Sequence, residues 1–311
     1  MGGHVRDVRF DVATAVGTTA QVAGRVFDPE PGSPPGGPVL VCLPGGTYTH
    51  RYFDLEVPGH AGYSAARHWT AAGATVVALD QLGTGESTRP DDVEVGLDLQ
   101  AAAAAAAVDA FRTERQDLEE RPWVGVGHSM GGYVAMVQQA DHRSYDAVAI
   151  LGTTNLHVAP LDLPAALREA AAGGTIARRE LVDQMLQSFP ERYVEPDRTP
   201  LLHWFHLADV DAAVLAADLA TTATVVPRLA AAESTVPGIT ADAAAAIDVP
   251  VFLAYGEVDV SPAPHAEPAA FSASHDVTLL VLAGAGHCHH MAPVRAVLWD
   301  RLIGWWQTVL P

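Results

Sequence analysis

The sequence predicts an α/β fold: a mostly parallel, eight-stranded sheet flanked by helices, with an inserted helical cap. Short apolar runs such as VLVCL (39–43) alternate with helical stretches, which is typical of buried parallel strands and their crossover helices. This rhythm stops over residues 153–246, where only helical patterns occur, and it resumes at residue 249. The 311 residues are 49% hydrophobic and 18% charged, so a sizeable core can form.

Each element follows from a local pattern. The segments VRFDVAT and AQVAGRVFD alternate in the manner of strands around a turn at Gly17. The predicted apolar strands that follow cover residues 39–43, 74–80, 122–129, 146–152, 249–256 and 277–284. The predicted helices of the α/β part cover residues 97–114, 131–140 and 294–310. The tract of seven alanines at 101–107 favours a helix, and we expect that helix to be exposed.

The break in the pattern predicts the domain organisation. Residues 1–152 and 247–311 form one α/β core domain, and residues 153–246 form a helical cap within the usual size of a structural unit. Inside the cap, Pro164, Pro200 and Pro227 are expected at helix boundaries, and Thr240 is expected to cap the helix ADAAAAI.

Charge and composition exclude some functions. A formal net charge of −19 disfavours nucleic-acid partners and adsorption to anionic lipid, because both require a basic face. Neither a secretory signal nor a membrane span is visible. The two cysteines, Cys42 and Cys288, cannot form a disulfide framework, so we expect a cytoplasmic protein with packed thiols. The expected partner is a small-molecule substrate, and a homodimer stays open.

The strongest chemical signal is VGVGHSMGGY. Gly127-His128-Ser129-Met130-Gly131 matches G-x-S-x-G and lies between a predicted strand and a predicted helix, the context that this motif requires. A serine there must occupy a strained turn that lifts its hydroxyl clear of the sheet, and flanking glycines avoid a collision. Ser129 is therefore the candidate nucleophile.

At these residues the chain resembles the α/β-hydrolase superfamily, with the insert in the place of the family's cap domain. LDQLGTGES (79–87) is similar to the family's D-x-x-G-x-G-x-S turn. LPGGTY (43–48) occupies the position of the oxyanion loop, with Pro44 where relatives usually carry histidine. The resemblance implies an oxyanion hole made by the N–H of Met130 and by that of Gly46 or Thr47; we favour Gly46.

The resemblance also implies the order nucleophile, acid, histidine. AYGEVDVSP resembles the turn after the penultimate strand and places Asp259 at the acid position, whereas Glu257 is expected to be a solvated turn carboxylate. GAGH then supplies His287 as the base. No cofactor is implied, and a serine nucleophile counts against epoxide hydrolysis and dehalogenation.

The cluster GAGHCHH (284–290) also raises the question of a metal. Consecutive residues of one short loop cannot surround a tetrahedral ion without distortion, and no matching ligand pair lies elsewhere, so we expect no metal site. His289 and His290 are expected to be exposed or to border the pocket, and Cys288 to be a small buried thiol.

These residues predict a serine hydrolase that cleaves a carboxylic ester or lactone. Trp204 and Phe205 in LLHWFHL either pack the cap against the core or cover the active site, in which case the substrate is bulky and apolar. His128 is a third candidate substrate contact. The alternatives are a C–C bond hydrolase or a cofactor-free perhydrolase of the same fold, and a non-catalytic ligand receptor.

Overall fold

The fold is described from a computed structural model, which covers residues 4–195 and 197–310. Its strands, in chain order, are β1 (Val5–Asp11), β2 (Gln21–Phe27), β3 (Val39–Leu43), β4 (Thr75–Leu79), β5 (Trp123–His128), β6 (Ala147–Leu151), β7 (Tyr193–Val194), β8 (Val226–Pro227), β9 (Val251–Gly256) and β10 (Val277–Leu282). Its α-helices are α1 (Ala13–Val16), α2 (Ala65–Ala71), α3 (Leu97–Glu114), α4 (Met130–His142), α5 (Ala165–Ala171), α6 (Thr175–Leu186), α7 (Leu202–Phe205), α8 (Ala212–Thr221), α9 (Arg228–Thr235), α10 (Ala241–Ala246) and α11 (Arg295–Val309).

Eight strands form one sheet in the order β1-β2-β4-β3-β5-β6-β9-β10. Only the pairs β1–β2 and β2–β4 are antiparallel, and the other five pairs are parallel. Every residue of β3, β4, β5, β6 and β9 is buried, as expected for parallel strands that helices cover on both faces. The predicted fold class is therefore confirmed.

The two faces of the sheet carry separate hydrophobic cores. Side chains of β3 alternate between them: Val39, Val41 and Leu43 pack with α3 and α4, whereas Leu40 and Cys42 pack with α2 and α11. Cys42 is fully buried, as its strand position predicted. Among the residues that the structure describes, no helix is both long and apolar enough to cross a membrane.

The alanine-rich helix α3 is not exposed, which corrects the sequence-based expectation. Five members of the tract are buried: Ala101, Ala103, Ala104, Ala105 and Ala107. Small side chains allow α3 to lie close against α4 and the sheet, and Leu97, Val108 and Phe111 extend the same buried face. Alanine occurs both on exposed helices and in closely packed cores, so the composition of the tract could not distinguish an exposed helix from a buried one.

The segment between β6 and β9 contains helices α5 to α10 and one element that the sequence did not predict. Strands β7 and β8 form a short antiparallel pair within this helical segment. Pro164 and Pro227 precede α5 and α9, as predicted, and Pro200 lies in a 3-10 turn just before α7. Thr240 precedes α10 but does not cap it, because its hydroxyl donates to Asn155 Oδ1 instead.

Candidate active site

Ser129 lies at the junction of β5 and α4, in a backbone conformation that non-glycine residues rarely adopt. Its φ is 52° and its ψ is −121°. The turn is tight: a Cβ on Gly127 would overlap the carbonyl of Gly131, and one on Gly131 would overlap the carbonyl of Leu43. The glycines of the G-x-S-x-G motif are therefore required by space, and the elbow presents the serine at the carboxyl end of the sheet.

Asp259 follows β9 and lies next to His287 in the fold. Its Oδ1 is 2.7 Å from His287 Nδ1. The backbone N–H of Gly256 donates to Oδ2 at 2.7 Å and that of Val260 to Oδ1 at 2.6 Å. Burial alone would raise the pKa of Asp259, but the charges and hydrogen bonds of His287 and His289 outweigh it and hold this pKa well below its usual range. Asp259 is thus an anion that orients an imidazole. Glu257, its local rival, is exposed, as predicted.

Backbone contacts from two directions fix the loop of His287. The N–H groups of His287 and Cys288 donate to the carbonyls of Trp204 and Phe205, at 2.8 and 2.9 Å. The carbonyl of His287 accepts a hydrogen bond of 2.9 Å from His128 Nε2. His287 and Ser129 line the same cavity, although no hydrogen bond joins their side chains among the described residues.

The segment Gly45–Tyr48 forms a tight turn beside Ser129. Tyr48 N donates to Gly45 O at 3.1 Å, and Thr47 has a φ of 74°, which together define a type II turn with a β-branched residue where glycine is usual. Within the described residues, the backbone N–H groups of Gly46, Thr47 and Met130 have no hydrogen-bond partner. Both candidates for the second oxyanion donor, Gly46 and Thr47, line the cavity, as does Met130.

A segment of the insert holds this turn in place. Thr224 N donates to Thr47 O and Thr49 N donates to Thr222 O, each at 2.9 Å, so that residues 222–224 pair antiparallel with residues 47–49. A strained residue persists only when its surroundings over-determine it, and this pairing supplies such a constraint.

The cavity above Ser129 has a volume of about 240 Å³. Apolar side chains dominate its lining, including Tyr48, Tyr133, Leu161, Leu201, Trp204 and Phe205. No Asp, Glu, Lys or Arg from the described residues lines it. Trp204 and Phe205, predicted as substrate contacts, therefore border the cavity and also tie the insert to the His287 loop through their carbonyls.

His128, the third predicted substrate contact, has a different environment from the one expected. Its side chain borders the cavity but is fully buried, stacks on Tyr52 with ring centroids 4.4 Å apart, and donates to the carbonyl of His287. Burial, together with the charges of His287 and His289, holds the pKa of His128 well below its usual range. These contacts indicate that His128 is a neutral side chain that supports the His287 loop, rather than one that binds a ligand.

The expectation that His289 and His290 are exposed or border the pocket is wrong. Both are fully buried: His289 Nε2 lies 2.7 Å from Asp259 Oδ2, and His290 Nδ1 accepts from Trp299 Nε1 at 2.8 Å. Cys288 is buried as predicted, with its Sγ 3.1 Å from Tyr48 Oη. His287 and His289 thus share Asp259, whereas Cys288 and His290 contact other side chains, and no group of three metal-ligating side chains is found among the described residues.

The motif LDQLGTGES is buried next to Gly45–Tyr48, the predicted oxyanion turn. Asp80 Oδ1 accepts from the N–H and the Nδ1 of His50, and Oδ2 accepts from Glu86 N. A Cβ on Gly85 would overlap the Asp80 carboxylate, and Ser87 Oγ donates to Asp80 O at 2.7 Å. The matching residues of this turn therefore have structural roles.

Sequence reasoning missed a buried ionic cluster in the insert. Asp218 accepts hydrogen bonds from Thr222 Oγ1 at 2.6 Å and from Tyr48 Oη at 3.2 Å. His206 Nε2 and Arg198 Nη2 lie 3.2 and 3.4 Å from the same carboxylate. The only signal that the sequence offers for this cluster is an aspartate, Asp218, in the alanine-rich stretch AAVLAADLAT. Because Tyr48 ends the oxyanion turn, the cluster joins the insert to the site.

The architecture and the elbow define the class of the protein, an α/β protein of the hydrolase type. A family model described as "Alpha/beta hydrolase family" matches residues 40–298, and the chain belongs to this family. No curated protein matches the chain in sequence.

Solved structures of several enzymes share the fold. The carboxyl esterase from Bacillus coagulans, in complex with glycerol, has a TM-score of 0.68 at 16% identity and covers 100% of both chains. A thermophilic esterase from Thermogutta terrifontis has a TM-score of 0.62 at 19% identity, over 98% of this chain and 100% of its own. A bromoperoxidase from Bacillus anthracis has a TM-score of 0.59 at 15% identity, over 97% and 99%.

Proposed function

We propose that this protein is a serine hydrolase that cleaves a carboxylic ester or lactone of an uncharged, apolar substrate. One observation carries the proposal. A serine in a strained elbow and the imidazole of a hydrogen-bonded His287–Asp259 pair border one apolar cavity. The esterases of the same fold are consistent with this chemistry, although at their identity they show the fold alone.

The proposed reaction begins with attack of Ser129 Oγ on the substrate carbonyl carbon, while His287 Nε2 takes the hydroxyl proton. Asp259 holds Nδ1–H and stabilises the imidazolium. Catalytic hydrogen bonds are often long in a ligand-free site and shorten when substrate binds. The C–O bond then breaks, the imidazolium returns the proton to the leaving alkoxide, and an acyl-enzyme remains. Water, deprotonated by His287, then attacks the acyl carbon; the bond from this carbon to Ser129 Oγ breaks, the imidazolium returns the proton to Oγ, and the acid leaves.

The negative charge that develops on the carbonyl oxygen needs donors that are already in place. The N–H of Met130 is one, at the start of α4, where the helix also places partial positive charge. We assign the second to Gly46, with Thr47 as its neighbour and rival. The residues that carry these three N–H groups line the same cavity as Ser129.

The lining indicates the substrate class. Since no Asp, Glu, Lys or Arg of the described residues borders the cavity, a charged substrate would lose its hydration without compensation, and we therefore expect a neutral ester. Ligand sites usually measure about 300–1,000 Å³. At about 240 Å³ this cavity suits a compact group, so a bulkier substrate has to extend past it or displace the insert. We propose that residues 153–246 act as a cap, because Leu161, Leu201, Trp204 and Phe205 come from them.

A fluorophosphonate probe followed by mass spectrometry tests the proposal. We expect one adduct on Ser129, none in Ser129→Ala, and labelling at least about 10³-fold slower in His287→Ala. Ser234→Ala is the matched control, because Ser234 also borders the cavity but should be labelled in no variant.

A panel of aryl esters, lactones and diketones then separates the chemistries. Turnover of esters or lactones with loss in Ser129→Ala supports the proposal. Wild-type protein without an adduct on Ser129, full-rate labelling of His287→Ala, or turnover of diketones alone would contradict it.

A further inference from the structure

The acid of the proposed triad is shared between two histidines. His287 Nδ1 lies 2.7 Å from Asp259 Oδ1, and His289 Nε2 lies 2.7 Å from Oδ2. The backbone N–H groups of Gly256 and Val260 complete the set, so each carboxylate oxygen has two donors. The proposed mechanism uses His287 alone and leaves His289 without a role.

The two rings are not interchangeable. His287 borders the cavity together with Ser129, whereas His289 does not, and its side chain is only 1% exposed. A carboxylate only accepts hydrogen bonds, so His289 Nε2 carries a hydrogen. The other nitrogen, Nδ1, is buried without a hydrogen-bond partner among the described residues. The His289 ring thus donates once, to Asp259, and cannot reach a substrate.

The fold makes room for both rings at one place. Gly152 follows β6 with a φ of 58°, and a Cβ there would come within 2.9 Å of His287 Nδ1 and 3.2 Å of His289 Cε1. The backbone at Gly152 therefore packs against both imidazoles as they approach the carboxylate. A glycine is required because any side chain would displace one of the two rings.

We infer that His289 is a positioning residue of the active site, which acts on His287 through Asp259. It fixes the rotamer of Asp259 so that Oδ1 faces His287 Nδ1. Its N–H also draws negative charge toward Oδ2 and weakens the hold of the carboxylate on the imidazolium of His287. This inference rests on the proposed function, because it assigns His289 to the same site.

Other titratable groups surround this pair and belong in any account of pH. Those that face His289 or Asp259 are His287, His128, His290, Tyr52, Tyr255 and Cys288. Burial raises the pKa of both tyrosines and of the cysteine well above their usual range, and it lowers the pKa of His128 and His290. These five groups, the two tyrosines, the cysteine, His128 and His290, are then expected to keep their charge in the pH range where a histidine base acts.

The test compares two substitutions at one position. His289→Leu removes the donor and keeps much of the volume, and His289→Gln can still donate to Asp259 Oδ2. In His289→Leu, we expect the pH at half-maximal kcat/KM on the acidic side to rise by about one unit, which lowers the rate there up to about tenfold. His289→Gln should restore the wild-type profile to within about threefold.

His290→Gln is the matched control, because His290 is equally buried in the same loop and contacts Trp299 rather than Asp259. It should lower stability and leave the pH profile in place. A purely structural role for His289 would lower the plateau of His289→Leu without moving its acidic limb, and that result would overturn the inference. If His289→Leu does not fold, a His289→Gln profile displaced by a full unit would overturn it too.

Proton NMR supplies a readout that does not depend on catalysis. Wild-type protein should show two low-field imidazole N–H resonances, one for each histidine on Asp259. His289→Leu should lose one resonance and shift the other, whereas an unshifted remaining resonance would contradict the inference. Because labelling of Ser129 in wild-type protein is scored separately, failure of the proposed function is distinguishable from failure of this one.

Discussion

Among the described residues, three buried aspartates lie within hydrogen-bond distance of a histidine, and two of them, Asp259 in the core and Asp218 in the insert, illustrate different uses of such a pair. Asp259 faces His287 and His289 and has no Arg or Lys partner among the described residues. Asp218 faces His206, and Arg198 lies 3.4 Å away. For both, burial alone would raise the pKa and the neighbouring groups lower it instead.

The two Asp–His pairs differ in what surrounds the second ring nitrogen of the histidine, the one that does not face the aspartate. His287 borders the cavity with Ser129, so its free nitrogen is available for a proton. His206 is enclosed, its Nδ1 is buried without a partner among the described residues, and its aspartate is bound to Thr222 and Tyr48. Under the proposed function, a buried Asp–His pair is catalytic only where the imidazole borders the same cavity as the nucleophile. The Asp218–His206 pair instead joins the insert to the Gly45–Tyr48 turn.

Matched substitutions at the two aspartates test this contrast most strongly. Asp259→Asn should lower kcat by about 10³–10⁴-fold, because His287 loses its orienting anion. Asp218→Asn should keep the rate of folded protein within about tenfold, since His206 touches no reacting group. It should instead lower the free energy of unfolding by about 3–5 kcal/mol, because the buried Arg198 loses its counter-charge.

The measurements are steady-state kinetics and urea unfolding on both variants. If folded Asp218→Asn were as inactive as Asp259→Asn, the two pairs would share one function and the contrast would be wrong.

The Gly45–Tyr48 turn contacts Asp218 through Tyr48, and a proline tests which of its N–H groups acts in the proposed oxyanion hole. Gly46 occupies the second position of a type II turn, where proline is common, and a Cβ there meets nothing closer than 3.5 Å. Gly46→Pro should keep the turn, remove the N–H, and lower kcat by about 10²–10³-fold. Thr47→Gly is the control: it relieves the positive φ, keeps both N–H groups, and should stay within about threefold. Activity retained in Gly46→Pro would transfer the donor role to Thr47.

Much of the core site is predictable from sequence for a local reason. Ser129, Asp259 and His287 each directly follow a strand or its turn, and parallel strands bring their carboxyl ends to one edge of the sheet. Short apolar runs identify the strands, and the glycines mark the elbow. The elbow pattern alone indicates Ser129, whereas Asp259 and His287 follow from the resemblance of their turns to those of the α/β-hydrolase superfamily.

The other features of the site depend on side-chain orientation and on contacts between distant segments, which local sequence patterns do not encode. His289 follows His287 by two residues, but the twist of the loop decides whether its ring faces solvent or Asp259. Thr47 takes the positive φ although Gly46 precedes it, because residues 222–224 pair with the turn. The Asp218 cluster joins segments 170 residues apart, from Tyr48 to Asp218.

Glu233 of the insert, a partly buried carboxylate, extends the comparison and carries the smallest expected effect. Glu233 of α9 accepts a hydrogen bond of 2.6 Å from Leu97 N at the start of α3, and no cation pairs with it among the described residues. Burial raises the pKa of Glu233 to about 7, against the hydrogen bond from Leu97. Unlike the two aspartates, this carboxylate therefore takes up a proton at a mild pH.

The sign of the stability effect follows from the raised pKa. The folded state holds the proton of Glu233 more tightly than the unfolded chain does, so stability falls as pH rises from about 4.5 through about 7. Over this window Glu233 should remove on the order of 1–3 kcal/mol from the free energy of unfolding. The buried neutral histidines His128 and His290 act in the opposite direction, so the wild-type curve alone does not isolate Glu233.

The difference between wild type and Glu233→Gln isolates it, because both proteins share those histidines. We expect the urea midpoint of Glu233→Gln to rise relative to that of the wild type as pH increases from 5 to 8. Glu119→Gln is the control, because Glu119 is exposed and the substitution removes the same charge. Parallel curves for the two proteins would mean that Glu233 stays ionised, its charge stabilised by the start of α3. Asp218 and Glu233 of the insert would then both be anions in the folded protein. Asp259 would differ from them only because its partner His287 borders the cavity with Ser129.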